Sequence, residues 1–379
     1  MRTTIALAVG ILGAILGTFL GTFLGLVVSG TADAQTAPPT ITPEAQLSLP
    51  VGRTASAVEI SHDIAVVGSD GYPSSFGLVQ IFRRQNGIWT AQGTLTRPNA
   101  FIGDRFGSSL EWDGRTLVVG SPGDPSGADG AVVIYELVAG SFVLKQVIDV
   151  PGGEPNFGLR LSLDRDRVAV TATVAFSTTN ATYVFKRDAG GLWAQQAHLQ
   201  PPQGDEDQFG VAVDLRGRRL IIGADQGYPA RYALIYREVN GQWQQEARIE
   251  NPPGGSFGRG VEIAGDLAWI GNPNAMTAYE YRRINGTWTL ASTLVGTAGP
   301  YYGGVLQLRG KRELFVMDNN RTYLYTAGPS GWTLRATFLV PGAAFFDPFN
   351  EEELDVSGKR LAAVVSGIAY LFAVPATAN

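Results

Sequence analysis

The stretch FGSSLEWDGRTLVVGSPGD, residues 106–124, decides the fold of this chain. Apolar and polar residues alternate from Gly107 to Asp113, a pattern typical of a half-buried β-strand. Asp113-Gly114-Arg115 then predicts a tight turn, and the apolar run at 117–120 predicts a second, buried strand. The stretch therefore indicates an antiparallel pair of strands, which we name A and B.

Four related units follow along the chain. They begin NFGLRLSLDRDRVAVTA (156–172), QFGVAVDLRGRRLIIGAD (208–225), SFGRGVEIAGDLAWIGNP (256–273) and YYGGVLQLRGKRELFVMD (301–318). In each, a Gly-containing turn separates two further predicted strands, C and D. Trp193, Trp243, Trp288 and Trp332 hold one repeat position, at separations of 50, 45 and 44 residues. This period matches propeller blades of four strands.

Counting the strands closes a ring of seven blades. Residues 51–97 supply a complete first blade, whereas the last unit, EEELDVSGKRLAAVVSGIAYLFAV (351–374), supplies only strands A, B and C. Residues 45–50 (AQLSLP) match the D strands of other units, so we predict that the N-terminal strand completes the last blade. Such closure removes the exposed sheet edge. The predicted fold is all-β, a seven-bladed β-propeller of four-stranded antiparallel blades.

The Phe-Gly and Gly-x-Pro pairs make the unit at 106–124 resemble an FG-GAP repeat, the unit of the propeller in integrin α subunits and in exported bacterial propellers. The resemblance covers roughly residues 44–374 and implies a ligand-binding or adhesive role. Some members of the family hold calcium in an Asp-rich cage between strands A and B. The A–B turns here are too short to supply the 6–8 oxygen ligands that calcium needs. We therefore predict no metal site and no cofactor.

The N-terminal segment indicates export. Arg2 precedes an apolar run over residues 5–28, and Ala32-Asp33-Ala34 offers a small-x-small cleavage site. We predict a signal peptide over 1–34, with an uncleaved membrane anchor as the alternative, because the run approaches the length that spans a bilayer. Residues 35–43 predict a polar linker, and residues 44–379 the propeller. The expected location is secreted or at the cell surface.

Composition excludes several classes of function. The 379 residues include no Cys, so disulfides and thiolate metal sites are impossible. The net charge of -5 argues against general nucleic-acid binding. The two His residues, His62 and His198, fall on different blades, so no Ser-His-Asp or zinc set can be assembled.

Aligning the A strands on Phe-Gly reveals a ring of carboxylates. The fourth residue after the Gly is acidic in five of seven blades: Glu59, Glu111, Asp214, Glu262 and Asp355. We expect these side chains in the axial channel, where they accept hydrogen bonds from strand N–H groups. A cation site on the axis is the alternative. Like charges in a narrow channel should raise some of their pKa values.

The loops predict two different faces. The D–A and B–C loops are long and share one face, the long-loop face, whereas the short A–B and C–D turns share the other, the short-turn face. Long loops on a rigid scaffold concentrate binding residues, and the candidates are Tyr72, Asp124, Asp129, Asp207, Asp225, Tyr228 and Phe346. The short-turn face is rich in Arg and Lys and predicts proximity to a membrane through the N-terminal segment.

These observations favour a non-enzymatic binding or scaffold module whose ligand, a protein or a glycan, docks on the long-loop face. The alternative is a carboxylate-dependent polysaccharide lyase or glycosidase on the same scaffold. A third possibility is a structural spacer without a loop-dependent partner. No catalytic residue is assigned at this point.

Overall fold

Short strands separated by tight turns form nearly all of the structure. The computed structural model describes residues 37–123, 130–149, 154–173, 180–202, 209–225, 231–250, 255–297, 301–341 and 353–376. The chain divides into two compact units, Met1–Ala37 and Pro38–Asn379, and the second contains the strands described here. In this described part, no helix has the length and apolar character needed to cross a bilayer. The predicted targeting segment, 1–34, lies outside the described residues.

In blades 1 to 5 the strands run in chain order from the channel outwards, whereas in blades 6 and 7 the outermost strand comes from the N-terminal part of the propeller. Two strands precede the first full blade, β1 (Thr40–Ile41) and β2 (Ala45–Leu47). Blade 1 holds β3 (Ala57–Ser61), β4 (Ile64–Ser69), β5 (Leu78–Gln85) and β6 (Ile88–Leu95); blade 2 holds β7 (Leu110–Trp112), β8 (Thr116–Ser121), β9 (Ala131–Val138) and β10 (Ser141–Asp149). Blade 3 holds β11 (Phe157–Asp164), β12 (Arg167–Ala172), β13 (Ala181–Arg187) and β14 (Trp193–Leu199); blade 4 holds β15 (Phe209–Arg216), β16 (Arg219–Ala224), β17 (Tyr232–Val239) and β18 (Gln242–Glu250). Blade 5 holds β19 (Val261–Ala264), β20 (Leu267–Asn272), the 3-10 helix Pro273–Ala275, β21 (Thr277–Ile284) and β22 (Thr287–Val295). Blade 6 holds β23 (Val305–Arg309), β24 (Glu313–Met317), β25 (Arg321–Gly328) and β26 (Gly331–Leu339), and blade 7 holds β27 (Leu354–Ser357), β28 (Arg360–Val365) and β29 (Ile368–Ala373).

The strand order confirms the predicted seven-bladed propeller. Six sheets have four antiparallel strands, and the last blade takes β2 as its outer strand, antiparallel to β29 with Gln46 opposite Tyr370. The N-terminal strand therefore closes the ring, as predicted. Blade 6 carries a fifth strand, because β1 pairs in parallel with β26. This pairing lies within residues 35–43, so the stretch interpreted as a linker contributes a strand from Thr40 onwards.

The core lies between blades. Seven apolar clusters of described residues fill the gaps between successive blades, and each mixes side chains from two neighbours. The aromatic residue of each Phe-Gly pair is buried in these gaps: Phe106, Phe157, Phe209, Phe257 and, in the Tyr-Gly variant, Tyr302. The hydrophobic burial that stabilises the ring is thus contributed by the motif itself.

The two halves of the FG-GAP motif contact each other across the joint between blades. The Gly of each Phe-Gly pair has a positive φ, which favours Gly. Its carbonyl oxygen lies against the Gly at the end of strand B in the preceding blade, for example Gly303 against Gly271. Thr171 replaces that second Gly in blade 3, and there Thr173 Oγ1 donates to the Phe209 carbonyl at 2.8 Å instead. The motif glycines therefore allow a backbone approach that a side chain would block.

Candidate active site

An axial cavity of about 1090 Å³ lies between the innermost strands and is lined by residues from all seven blades. Successive side chains of a strand point to opposite faces, so every second residue of strand A faces the axis. The positions two, four and six residues after the motif Gly therefore form three layers of the cavity wall. The five predicted carboxylates occupy the middle layer, together with Ser162 and Gln307.

The middle layer is a belt of hydrogen bonds that crosses six of the seven joints between blades. In each hydrogen bond, a side-chain oxygen of one blade accepts from a backbone N–H of the next blade. The donor is the residue that directly follows the middle-layer residue in strand A of that next blade. The contacts are Trp112 N to Glu59 (3.1 Å), Leu163 N to Glu111 (3.3 Å), Leu215 N to Ser162 (2.9 Å), Ile263 N to Asp214 (2.7 Å), Leu308 N to Glu262 (3.0 Å) and Ile60 N to Asp355 (2.8 Å). The belt satisfies N–H groups that would otherwise be unpaired at the inner edge of each sheet. Among the described residues, no group of three or more acidic or His side chains is arranged to hold a metal ion.

One cation, Arg216, reaches into this acidic belt. It lies six residues after the motif Gly of blade 4, and its Nε is 3.3 Å from Asp214 Oδ1. Its side chain is 39% exposed, on the wall of the cavity. Arg216 lies two residues after Asp214, so the alternation of the A strand already places both side chains on the same side, towards the axis.

Four belt carboxyl groups, Glu59, Glu111, Glu262 and Asp355, have pKa values above those of exposed carboxyl groups. Burial raises the pKa of Glu111 to about 8, although Arg216 opposes the effect. Burial raises the pKa of Asp355 to about 6, and it raises the pKa values of Glu59 and Glu262 well above 4.5. Repulsion between neighbouring carboxylates adds to the effect at Glu59 and Glu262. The predicted direction is present, but burial rather than repulsion is its main cause.

These raised values predict that stability falls as the pH rises. The unfolded chain releases the glutamate protons near pH 4.5, whereas the folded belt keeps them until about pH 6–8. Between about pH 4.5 and pH 8 the folded state binds more protons than the unfolded state. The free energy of unfolding therefore decreases as the pH rises. We expect a melting temperature at pH 5 that is higher than at pH 8.5 by at least about 3 °C. Calorimetry across this range measures it.

A triple variant supplies the control for this pH dependence. Glu59→Gln, Glu111→Gln and Glu262→Gln together keep an amide oxygen for each strand N–H but cannot ionise, so the decrease between pH 5 and 8.5 should become shallower. A wild-type melting temperature that is flat or rises over this range would contradict the raised pKa values. Below pH 4.5 the trend should reverse, because hydrogen bonds from Gln196 and Arg167 lower the pKa of Glu238 despite its burial.

The structure separates the predicted long-loop residues. Asp225 lines the axial cavity, where its Oδ2 lies 3.5 Å from Arg259 and its Oδ1 has no hydrogen-bond partner. Burial raises the pKa of Asp225. Tyr72 is 48% exposed and does not line that cavity; the Arg105 guanidinium lies 5.7 Å from its ring centre. The other candidates, Asp124, Asp129, Asp207, Tyr228 and Phe346, lie outside the described residues.

Part of the positive charge predicted on the short-turn face is paired. Buried or half-buried glutamates of strands C and D pair with cations of the turns and of neighbouring strand positions: Glu136 contacts Arg115 (3.6 Å), Lys145 (3.4 Å) and Arg187, Glu238 contacts Arg218 (3.6 Å), and Glu246 contacts Arg219 (2.9 Å) and Arg283 (3.0 Å). The sequence pattern of the turns does not reveal these partners, because the glutamates lie on other strands. Proximity to a membrane stays a prediction.

Solved structures share this fold. They include a protein from Lactobacillus plantarum (TM-score 0.59, 14% identity, 82% of this chain and 92% of that chain). A proposed 6-phosphogluconolactonase from Bacteroides uniformis has a TM-score of 0.57 and 13% identity, and covers 81% of this chain and 90% of its own. The periplasmic gluconolactonase of Pseudomonas aeruginosa has a TM-score of 0.54 and 18% identity, and covers 83% of this chain and 99% of its own. At these identities the likeness is one of fold.

These neighbours correct the expectation of a non-enzymatic module. Two of them are named as lactonases, so the lack of a Ser-His-Asp or zinc set does not exclude catalysis on such a scaffold. The physical reason is that burial on the wall of a cavity can raise the pKa of a carboxyl group into the range that proton transfer needs. The same cavity, rather than the outer surface of the long loops, becomes the candidate site.

The family comparison concerns blades 1 and 2. No match was found among curated proteins. The FG-GAP repeat model matches residues 89–135, which run from the outer strand of blade 1 into strand C of blade 2. Together with the seven-bladed ring, in which the Phe-Gly pair or its Tyr-Gly variant recurs in blades 2 to 6, this match supports the FG-GAP repeat β-propeller family.

Proposed function

We propose that the chain is a hydrolase that opens a sugar-derived lactone inside the axial cavity. The observation that carries this proposal is the placement of Glu111 and Arg216 on the wall of the axial cavity. The lactonase names of two structural neighbours indicate the type of reaction that this scaffold supports elsewhere. A cavity of about 1090 Å³ accommodates a sugar-sized molecule together with the attacking water.

Glu111 is the residue that we assign to proton transfer. Its Oε2 accepts the Leu163 N–H at 3.3 Å, and the carboxyl group faces the cavity. With a pKa of about 8, a fraction of Glu111 is ionised at neutral pH, and the ionised form is more basic than an ordinary carboxylate. General acid–base catalysis is most efficient when the pKa lies near the working pH. Glu111 meets this requirement.

In the proposed reaction, Glu111 first accepts a proton from water and later returns it to the leaving group. The Glu111 carboxylate removes a proton from water while the water oxygen bonds to the lactone carbonyl carbon, which forms a tetrahedral oxyanion. The ring C–O bond then breaks, and the leaving alkoxide takes the proton back from Glu111. The product is the open-chain hydroxy acid, and Glu111 returns to its starting state.

Arg216 is the group that we assign to the oxyanion. Its Nε contacts Asp214, which orients the guanidinium, and its exposed part faces the cavity. A guanidinium remains charged at any working pH and carries five N–H donors. Donors held in place before the reaction stabilise developing negative charge without a reorganisation cost.

A direct assay tests the proposal. The purified chain is mixed with glucono-1,5-lactone, and acid release is recorded in a pH-stat above the spontaneous rate. We expect saturable hydrolysis whose kcat/KM rises with pH and levels off above about pH 8. A panel of neutral and acidic polysaccharides is run in parallel. Activity on polysaccharides alone, or no hydrolysis of any lactone, would reject the proposal.

A further inference from the structure

A second pocket, of about 640 Å³, opens at the short-turn end of the axial cavity. The A–B turns of blades 3 to 6 form most of its wall. Six cationic side chains line it: Arg165, Arg216, Arg218, Arg219, Arg237 and Lys311. Asp164 is the one acidic residue among the described residues that line it. The wall therefore carries a large excess of positive charge.

Half of these cations keep their charge uncompensated. Arg216, Arg218 and Arg219 pair with Asp214, Glu238 and Glu246. Arg165, Arg237 and Lys311 are exposed and form no ion pair with any residue in the described ranges. Asp164 forms no ion pair with them; its Oδ2 accepts the Gly217 N–H at 2.6 Å. Three free cations thus surround one pocket.

Lys311 lies beside the A–B turn of blade 5. A Cβ atom at Gly265 would lie 2.8 Å from Lys311 Nζ, so the ammonium group rests against the backbone of that turn, on the wall of the pocket. This places a compact charge with three N–H donors beside the arginines.

We propose that this basic pocket is an oxyanion-binding site that takes a phosphate or carboxylate group of a small molecule. Arginine and lysine donors around a concave wall match the geometry and charge of such groups. The pocket shares Asp164, Arg165, Arg216, Leu308 and Gly310 with the axial cavity. One ligand can therefore extend from the pocket into the cavity.

The continuity between the basic pocket and the axial cavity indicates the substrate class, an inference that rests on the proposed function. A lactone bearing an anionic substituent would place that substituent among Arg165, Arg237 and Lys311, with its ester carbonyl at Arg216. The short-turn end of the channel is then the end that recognises charge, and the belt is the place of reaction. A neutral lactone lacks this anchor and should show a higher KM.

Titration with inorganic phosphate tests the site without catalysis. Isothermal titration calorimetry at constant ionic strength should show saturable binding at one site. The double variant Arg165→Gln/Lys311→Gln should weaken phosphate binding by at least about tenfold. Lys359→Gln, on the A–B turn of blade 7 outside the pocket, should leave it unchanged. No saturable binding, or equal affinity in the double variant, would overturn the proposal.

Two further experiments distinguish a small-molecule site from a membrane contact, and the oxyanion site from the proposed catalytic function. Binding to phosphatidylglycerol vesicles without binding of free phosphate would overturn a small-molecule site and favour a membrane contact. Glu111→Gln should bind phosphate as the wild type does while losing lactone turnover. Phosphate binding in a wild type that hydrolyses no lactone would reject the proposed function and support the oxyanion site alone. With an anionic lactone as substrate, the double variant should raise KM and leave kcat within about threefold.

Discussion

Glu111→Gln should lower kcat for lactone hydrolysis by about 100-fold or more, because an amide can neither remove nor return the proton. The variant should still fold, since the Gln carbonyl can accept the Leu163 N–H that Glu111 Oε2 accepts at 3.3 Å. Its residual rate should also lose the dependence on a group with a pKa of about 8. Steady-state kinetics from pH 5 to 9.5 measure both effects.

The matched control for this variant lies on the outside of the propeller. Glu250 ends the outer strand of blade 4 and is more than half exposed beside Arg248. Glu250→Gln makes the same chemical change away from the cavity and should keep the wild-type rate and pH profile. A Glu111→Gln protein with unchanged kcat and an unchanged pH profile would exclude Glu111 as the proton-transfer residue.

Gly271→Ala should destabilise the propeller by about 3 kcal/mol or more, since overpacked sites that cannot relax lie at the upper end of this effect. A Cβ atom at this position would lie 1.7 Å from the Gly303 carbonyl oxygen of blade 6. The obstacle is backbone of another blade, which cannot rotate away as a side chain would. Blades 5 and 6 would have to separate, and the apolar cluster between them would loosen. Chemical denaturation monitored by tryptophan fluorescence measures the change.

Gly93→Ala is the matched control, because it makes the same substitution in the outer strand of blade 1. A Cβ atom there would meet nothing within 4 Å, and Gly93 does not have a positive φ. The free energy of unfolding should change by less than about 0.5 kcal/mol. Similar losses in the two variants would show that the cost comes from the residue type in a strand and not from the joint between blades.

Much of the architecture could be predicted because it depends on local patterns that repeat. Alternating residues around Glu111 predict a strand with one face towards the axis, and Asn86-Gly87 and Asn240-Gly241 predict C–D turns in which both residues have positive φ, as the structure has them. The strand at 45–47 could be assigned to the last blade because that blade otherwise has three strands, and the backbone N–H and C=O groups at its outer edge would lack hydrogen-bond partners. These strand and turn patterns recur every 44–50 residues. An ambiguous strand in one unit can therefore be assigned from the equivalent strands of the others.

Contacts between blades could not be predicted, because they join residues that are about 50 positions or more apart. The A-strand alignment placed Glu59 and its equivalents at one height, but only the packed ring brings the Trp112 N–H to Glu59 and the Ile263 N–H to Asp214. The ion pairs of Glu238 and Glu246 join different strands, within a blade or across a joint, and they decide which cations of the short-turn face stay free. The sequence by itself determined the blades, their number and the closure of the ring, because strand and turn preferences are local. Only the tertiary structure decided which charges are buried together, because desolvation and ion pairing depend on neighbours that the chain order does not reveal.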